Sequence, residues 1–161
     1  MYSPKIPHMP DAYQSGFLDT GIMELTRPSP RSHGMHILLA DQQPKVRFAL
    51  RVLLERQPDV VVVGEAVNAD DLLSQARAKR PDLILLDWEL PGLCSKNSLP
   101  SLREICPEMA VIALSGRAEA RQGALGAGAD AFASKVDPPE RLLAKIHELS
   151  QNRVNHLNRS P

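Results

Sequence analysis

The sequence predicts an α/β domain, a doubly wound parallel sheet of five strands with helices on both faces. Two observations carry that prediction: short apolar runs alternate with helical patterns, and four of the runs break off at a polar side chain. Ile37-Leu38-Leu39-Ala40 leads into Asp41, Leu83-Ile84-Leu85-Leu86 into Asp87, Val111-Ile112-Ala113-Leu114 into Ser115, and Ala131-Phe132-Ala133-Ser134 into Lys135. Continuous apolar runs suit strands buried on both faces, and the helices between them supply the crossovers that parallel pairing needs. In such sheets ligands collect at the carboxyl ends of the strands, near the reversal of strand order. Two carboxylates, a hydroxyl and an ammonium along one edge suit the handling of phosphate.

Each intervening element has its own signal. Pro44 opens the first helix, whose Val46, Ala49, Leu50, Leu53 and Leu54 keep to one face. Val60 to Val63 make the second strand. Asn68 is placed to cap the second helix, with Asp70 and Asp71 in its first turn, where the helix dipole favours acids, and Leu72, Leu73 and Ala76 on its inner side. Pro91-Gly92 turns the chain after the third strand, and a short helix from about Ser98 to Ile105 follows an irregular loop. A glycine-containing helix from about Arg117 to Ala127 precedes the fifth strand. Gly123 inside it costs about 1 kcal/mol relative to alanine, which predicts the softest helix of the domain. The last helix is expected to open on Asp137 as capping acid, with Pro138-Pro139 in the first turn, Glu140 in the capping-box position, and Leu142, Leu143, Ile146 and Leu149 as core stripe.

The 161 residues suffice for one domain with a proper core. Nineteen basic residues balance nineteen acidic ones, so no global field recruits nucleic acid or an anionic membrane. Cys94 and Cys106 lack metal-type spacing and read as reduced thiols, consistent with a cytoplasmic protein. His33 and His36 sit at the entry of the first strand and read as structural. No apolar stretch approaches membrane-spanning length. Residues 1–34, with five prolines among small polar residues, read as a flexible arm that carries the short apolar pairs Phe17-Leu18 and Ile22-Met23. Residues 35–150 are the domain, and 151–161 read as a polar tail.

The chemistry follows from the strand ends. A buried strand terminus holds Asp87 rigidly while exposing its oxygens, so the carboxylate suits nucleophilic attack on phosphorus once a divalent cation neutralises the incoming charge. Mg²⁺ fits, since it takes one or two carboxylates plus phosphate oxygens and keeps several waters. Ser115 and Lys135 are placed to bind phosphoryl oxygens. Trp88, beside Asp87, is expected at the mouth of the site. Gly123, Gly126 and Gly128 are not a phosphate loop, because they end a helix before a strand, and that loop needs the reverse order.

These segments resemble a response-regulator receiver domain over about residues 35–150. The resemblance rests on Ile37 to Arg47, on Pro81 to Asp87 with Pro91-Gly92, on Leu114-Ser115, and on Gly126 to Phe132 with Lys135. It implies a flavodoxin-like fold with strand order 2-1-3-4-5. It also implies a phosphoacceptor, Asp87, served by a histidine kinase or phosphotransfer protein, and Mg²⁺ held by Asp41, Asp87 and the backbone carbonyl of Glu89. Ser115 and Phe132 would form the switch pair, and Lys135 would hold the phosphoryl group. A downstream output protein and a homodimer through the fourth and fifth helices are the implied partners.

The chain departs from the pattern in two places. The family usually carries two acids after the first strand, and alignment on Pro44 puts Gln42 at the second, so weaker Mg²⁺ binding is expected. The loop Leu93-Cys94-Ser95-Lys96-Asn97 and the short helix after it replace a more regular third helix. The sequence reading is therefore a stand-alone phosphoacceptor, not an enzyme, signalling through protein contacts. The runner-up is a pseudo-receiver with the same fold that signals without phosphorylation. A haloacid dehalogenase-like phosphatase fits less well, because its second aspartate is Glu89 here and only Asp137 follows the lysine. A helix-turn-helix needs more than the residues after Gln151, so no direct nucleic-acid contact is expected.

Overall fold

The computed structural model describes residues 34–94 and 97–159; the expected arm before Gly34, and Ser95 and Lys96 of the irregular loop, lie outside them. Strands β1 (Met35–Ala40), β2 (Val60–Ala66), β3 (Leu83–Asp87), β4 (Ala110–Ser115) and β5 (Ala131–Ser134) pair in parallel in the order β2-β1-β3-β4-β5. Helices α1 (Pro44–Glu55), α2 (Ala69–Lys79), α3 (Ser98–Ile105), α4 (Ala120–Gly126) and α5 (Pro139–Leu157) connect and follow them. Order reverses between β1 and β3, where Asp41 and Asp87 leave the sheet.

Every residue of β3 and β4 is buried, and their alternation splits the core in two. Leu38, Ile84, Leu86, Val111 and Ala113 meet Leu72, Ala76, Leu99, Leu102 and Ala124 beneath α2, α3 and α4. Ile37, Leu39, Leu83, Leu85, Ile112 and Leu114 meet Leu54, Leu142 and Ile146 beneath α1 and α5. Each fully buried aliphatic side chain contributes about 1.5–3 kcal/mol relative to exposure, so both faces drive folding and the strand edge is left for chemistry.

Local signals hold where they rest on short-range bonds. Asn68 caps α2, its side chain accepting from the Asp71 amide at 2.8 Å. The register of β1 on β2 slips between Ile37 and Leu38, so that Leu38 faces Gly64 and Val63 bulges. A Cβ on Gly64 would stand 2.3 Å from Gln75 Oε1 and 3.1 Å from Leu38 Cδ1, so a larger residue there requires the Gln75 side chain to shift. Both cysteines are free thiols, Cys94 exposed and Cys106 buried.

Three expectations are corrected. Asp137 does not cap α5: the N-cap is Pro138 with no side-chain bond, and Asp137 instead lies 3.5 Å from Arg141. Helix α4 starts at Ala120 rather than Arg117, because residues 117–119 form a tighter turn in which the Ala120 and Arg121 amides donate to the Arg117 and Ala118 carbonyls. The polar stretch after residue 150 is helical as far as Leu157. What holds it is Arg153, which donates to the carbonyls of Asp82 (2.7 Å) and Glu108 (3.1 Å) and pairs with Asp82 Oδ1 at 3.0 Å.

Candidate functional site

The carboxyl ends of β1, β3, β4 and β5 bring Asp41, Asp87, Ser115 and Lys135 to one edge. Strand pairing fixes their relation: Ala40 is in register with Leu86, Asp87 with Leu114, and Ser115 with Ser134. The Trp88 amide donates to the Leu114 carbonyl at 2.8 Å and the Lys135 amide to the Ser115 carbonyl at 2.9 Å, so the ladder continues past the last strand residues. Asp41 (1 % exposed), Asp87 (3 %) and Ser115 (0 %) are buried, a rare state for carboxylates without partners.

Their partners are few and chosen. Lys135 Nζ lies 2.7 Å from Asp41 Oδ2 and 3.3 Å from Asp87 Oδ1, one ammonium between two acids. Burial pushes the lysine pKa down, but Asp41 and then Asp87 outweigh it and hold it above the ordinary 10.5. Its contribution to stability is therefore complete below 10.5 and is lost as pH rises through the raised value. Asp41 Oδ1 accepts from the Gln43 amide at 2.8 Å, and Arg47 Nη1 donates to the Asp41 carbonyl at 2.7 Å. Arg47 is itself held by Glu65 of β2 at 2.9 Å, and Glu65 also takes Arg51 at 2.7 Å.

Asp87 differs from every other partner in the cluster. Its Oδ1 accepts from the Glu89 amide at 3.0 Å and faces Lys135, while Oδ2 accepts no bond from the described residues. No buried side-chain oxygen among those residues lacks a partner, so Oδ2 opens to solvent. The Glu89 carbonyl likewise accepts no hydrogen bond from the described residues. Two open oxygens beside a pair of carboxylates, one already countered by lysine, fit a hard divalent cation such as Mg²⁺. No group of three His, Cys, Asp or Glu side chains among the described residues is arranged to hold a metal, so such a cation would draw on neutral oxygens and water. Gln42, at the place of a second acid, is exposed.

Ser115 Oγ accepts from the Arg117 amide at 3.0 Å. The Phe132 ring is buried, 7 % exposed, in the core under α4. Trp88 packs half-buried against that same core, and a Cβ on Gly123 would stand 4.0 Å from its indole nitrogen. Its ring thus leans on α4, the packing role that aromatics often fill.

Sequence reasoning reached the acids, the hydroxyl and the lysine, but missed the roles of Arg47 and Glu65 and the exposed Arg117–Glu89 pair, 3.2 Å apart, which joins the loops after β4 and β3. Glu65 sits among apolar residues in a strand, and that misfit was the one available signal.

A five-stranded parallel sheet ordered 2-1-3-4-5, with paired acids and a lysine at its carboxyl edge, is the flavodoxin-like receiver fold. The chain belongs to the response regulator receiver domain family of two-component systems, matching it over residues 37–147. The nitrate/nitrite response regulator NarL of Escherichia coli is 38% identical over 114 residues, 70% of this chain and 53% of that protein. Among solved structures, a LuxR-family two-component response regulator from an Aurantimonas species aligns with a TM-score of 0.67 at 27% identity, covering 73% of this chain and 86% of that one. The signal receiver domain of NarL from Mycobacterium tuberculosis aligns equally well, TM-score 0.67, over 74% of this chain and 98% of that one; at 23% identity the likeness is one of fold. The chain spans about half the length of the curated relatives it matches.

Proposed function

We propose that this chain is a phosphoacceptor receiver, phosphorylated on Asp87 and signalling through protein contacts. The observation that carries the reading is the asymmetry of Asp87, one oxygen held and the other open. In the reaction, Asp87 Oδ2 attacks the phosphorus of a phosphohistidine on a kinase or phosphotransfer protein. A P–O bond forms to the carboxylate, the P–N bond breaks, and the released imidazole keeps the electron pair and takes a proton from water. Lys135 would swing from Asp41 to the new phosphoryl oxygens, and Ser115 would donate to one of them. Mg²⁺ on Asp41, Asp87 and the Glu89 carbonyl, with Gln42 as a weak neutral ligand, would supply charge neutralisation.

The donor's footing lies beside the mouth. Phe48 near the start of α1 and Val136 after Lys135 are 68% and 80% exposed, large apolar side chains suited to a docking protein. Output would leave by the other flank, where Ser115 and Phe132 adjoin α4, through a downstream protein or a second copy on α4 and α5.

A second reading, a pseudo-receiver that signals unphosphorylated, draws on Gln42 and on the absence of a three-acid cluster among the described residues. Incubation with a small acyl phosphate and Mg²⁺, followed by intact mass, separates the two. Addition of one phosphoryl group that maps to Asp87 supports the acceptor; an unmodified mass under conditions that label a control receiver leaves the pseudo-receiver.

A further inference from the structure

Helices α1 and α5 cover the same face of the sheet and leave a cleft of about 350 Å³ between them at its carboxyl edge. Leu114 of β4 and Ala133 of β5, each 3% exposed, form its floor. Val46, Ala49, Leu50 and Leu53 make the α1 wall, and Pro138, Pro139 and Leu142 the α5 wall. Well-packed domains leave few spaces larger than a water molecule, so an apolar cleft of this size calls for a cause. Small residues supply it, since alanine stands at 49 in the wall and at 133 in the floor, where larger side chains would fill the space. The volume lies within the range of small-molecule sites.

Four polar residues complete the lining, Lys45, Ser134, Lys135 and Asp137, and three of them are engaged. Lys135 lies between Asp41 and Asp87, Asp137 faces Arg141 at 3.5 Å, and Ser134 Oγ accepts from the Val136 amide at 3.3 Å. Of the four, only Lys45 has no partner among the described residues, and it is exposed. It sits in the first turn of α1, the positive end of that helix dipole. That turn contains no acid, and the N-cap Gln43 makes no side-chain bond, so nothing offsets the charge there. The cleft thus joins an apolar body to an uncompensated positive end.

We infer that this cleft binds a small amphipathic carboxylate, with an acyl chain of about ten carbons between α1 and α5 and its head on Lys45. A cationic head would meet Lys45 and the dipole of α1 with the wrong sign. Ser134 and Lys135 belong to the lining, so a seated ligand braces the segment after β5 against α1. The assignment draws nothing from Asp87; it goes beyond the phosphoacceptor reading and stands or falls apart from it.

The test titrates the full chain with decanoate below its micelle-forming concentration, and with decylammonium as the probe of opposite head charge. With decanoate, the methyl resonances of Leu50, Leu53 and Leu142 should move along one saturable isotherm. Decylammonium should bind about tenfold more weakly. Lys45→Glu should weaken decanoate about three- to tenfold and make decylammonium the tighter ligand, a reversal that unspecific partition into an apolar groove would not give. Ala49→Phe, at an exposed position of the α1 wall, should abolish binding of both probes while the urea midpoint stays close to that of the wild type. Hydrogen exchange of residues 133–143 should slow with decanoate in the wild type and not in Ala49→Phe. Equal affinity for the two heads, or decanoate binding that survives Ala49→Phe, overturns the assignment. Shifts that never saturate with either probe also overturn it, and leave the cleft as ground for a side chain of a docking protein.

Discussion

An aspartate stands at either end of strand β3, Asp82 just before Leu83 and Asp87 as its last residue, and the two have opposite fates. Asp82, at the entry, is tied down: Oδ2 accepts from the His36 amide at 2.9 Å, Oδ1 pairs with Arg153, and its backbone carbonyl accepts from both Arg153 and Ala110. Asp87, at the exit, shares a lysine with Asp41 and keeps Oδ2 open. Both are largely buried at the ends of one strand, so burial and charge pairing do not distinguish a structural carboxylate from the one proposed as acceptor. Unused bonding capacity does.

The sharpest way to break this comparison is Asp87→Asn. The change is nearly isosteric and removes the nucleophile, so phosphoryl uptake should vanish while the urea midpoint stays close to that of the wild type. Label persisting on the variant would place the acceptor elsewhere. Asp82→Ala should do the reverse, costing about 2–3 kcal/mol through the orphaned His36 amide and Arg153 while the folded fraction still labels. Urea unfolding at fixed m reads the first effect; uptake scaled to folded protein reads the second, and loss of uptake in the folded fraction would join the two ends functionally.

Gln42→Asp sharpens the comparison by adding charge at the exit end only. Mg²⁺ affinity should tighten about tenfold, equivalent to about 1.4 kcal/mol, and apo stability should fall as like charges crowd Asp41 and Asp87. Unaltered affinity by calorimetry would put residue 42 outside the coordination shell. The smallest effect concerns the support of Asp41. Burial pushes the Glu65 carboxyl up, but Arg51 and Arg47 outweigh it and hold it below the ordinary 4.5. That stabilisation is present above 4.5 and lost as pH falls through the depressed value. Wild type should therefore exceed Glu65→Gln by about 1 kcal/mol near neutrality, with the gap closing in acid; a gap independent of pH would make Glu65 a packing residue.

The fold was legible because it is written in local periods: buried strands as apolar runs, helices as spaced faces, Asn68 as a cap. The exit-end acids and Lys135 were legible because a polar residue at the end of an apolar run is conspicuous. The entry end was not. Asp82 precedes its strand as an ordinary turn residue would, and Arg153 lies 71 positions away in a stretch with few apolar residues, so nothing local announces the pair. Helix from 151 to 157 was missed for the same reason, since its anchor is a distant ion pair rather than an apolar stripe. The late start of α4 turns on backbone bonds at Arg117 and Ala118, which composition does not reveal.

Arg153 has a mechanical consequence. Helix α5 runs 19 residues from the loop that carries Lys135, and at 1.5 Å per residue the clamp sits about 20 Å along it. A pivot of about 5° at the first turn would sweep the clamp through roughly 2 Å, enough to tear three hydrogen bonds from Asp82 and Glu108. The helix is thus a beam pinned at both ends, while α4 beside it is a short cantilever. Val154 and Leu157, 51% and 67% exposed, follow the clamp on the same helix.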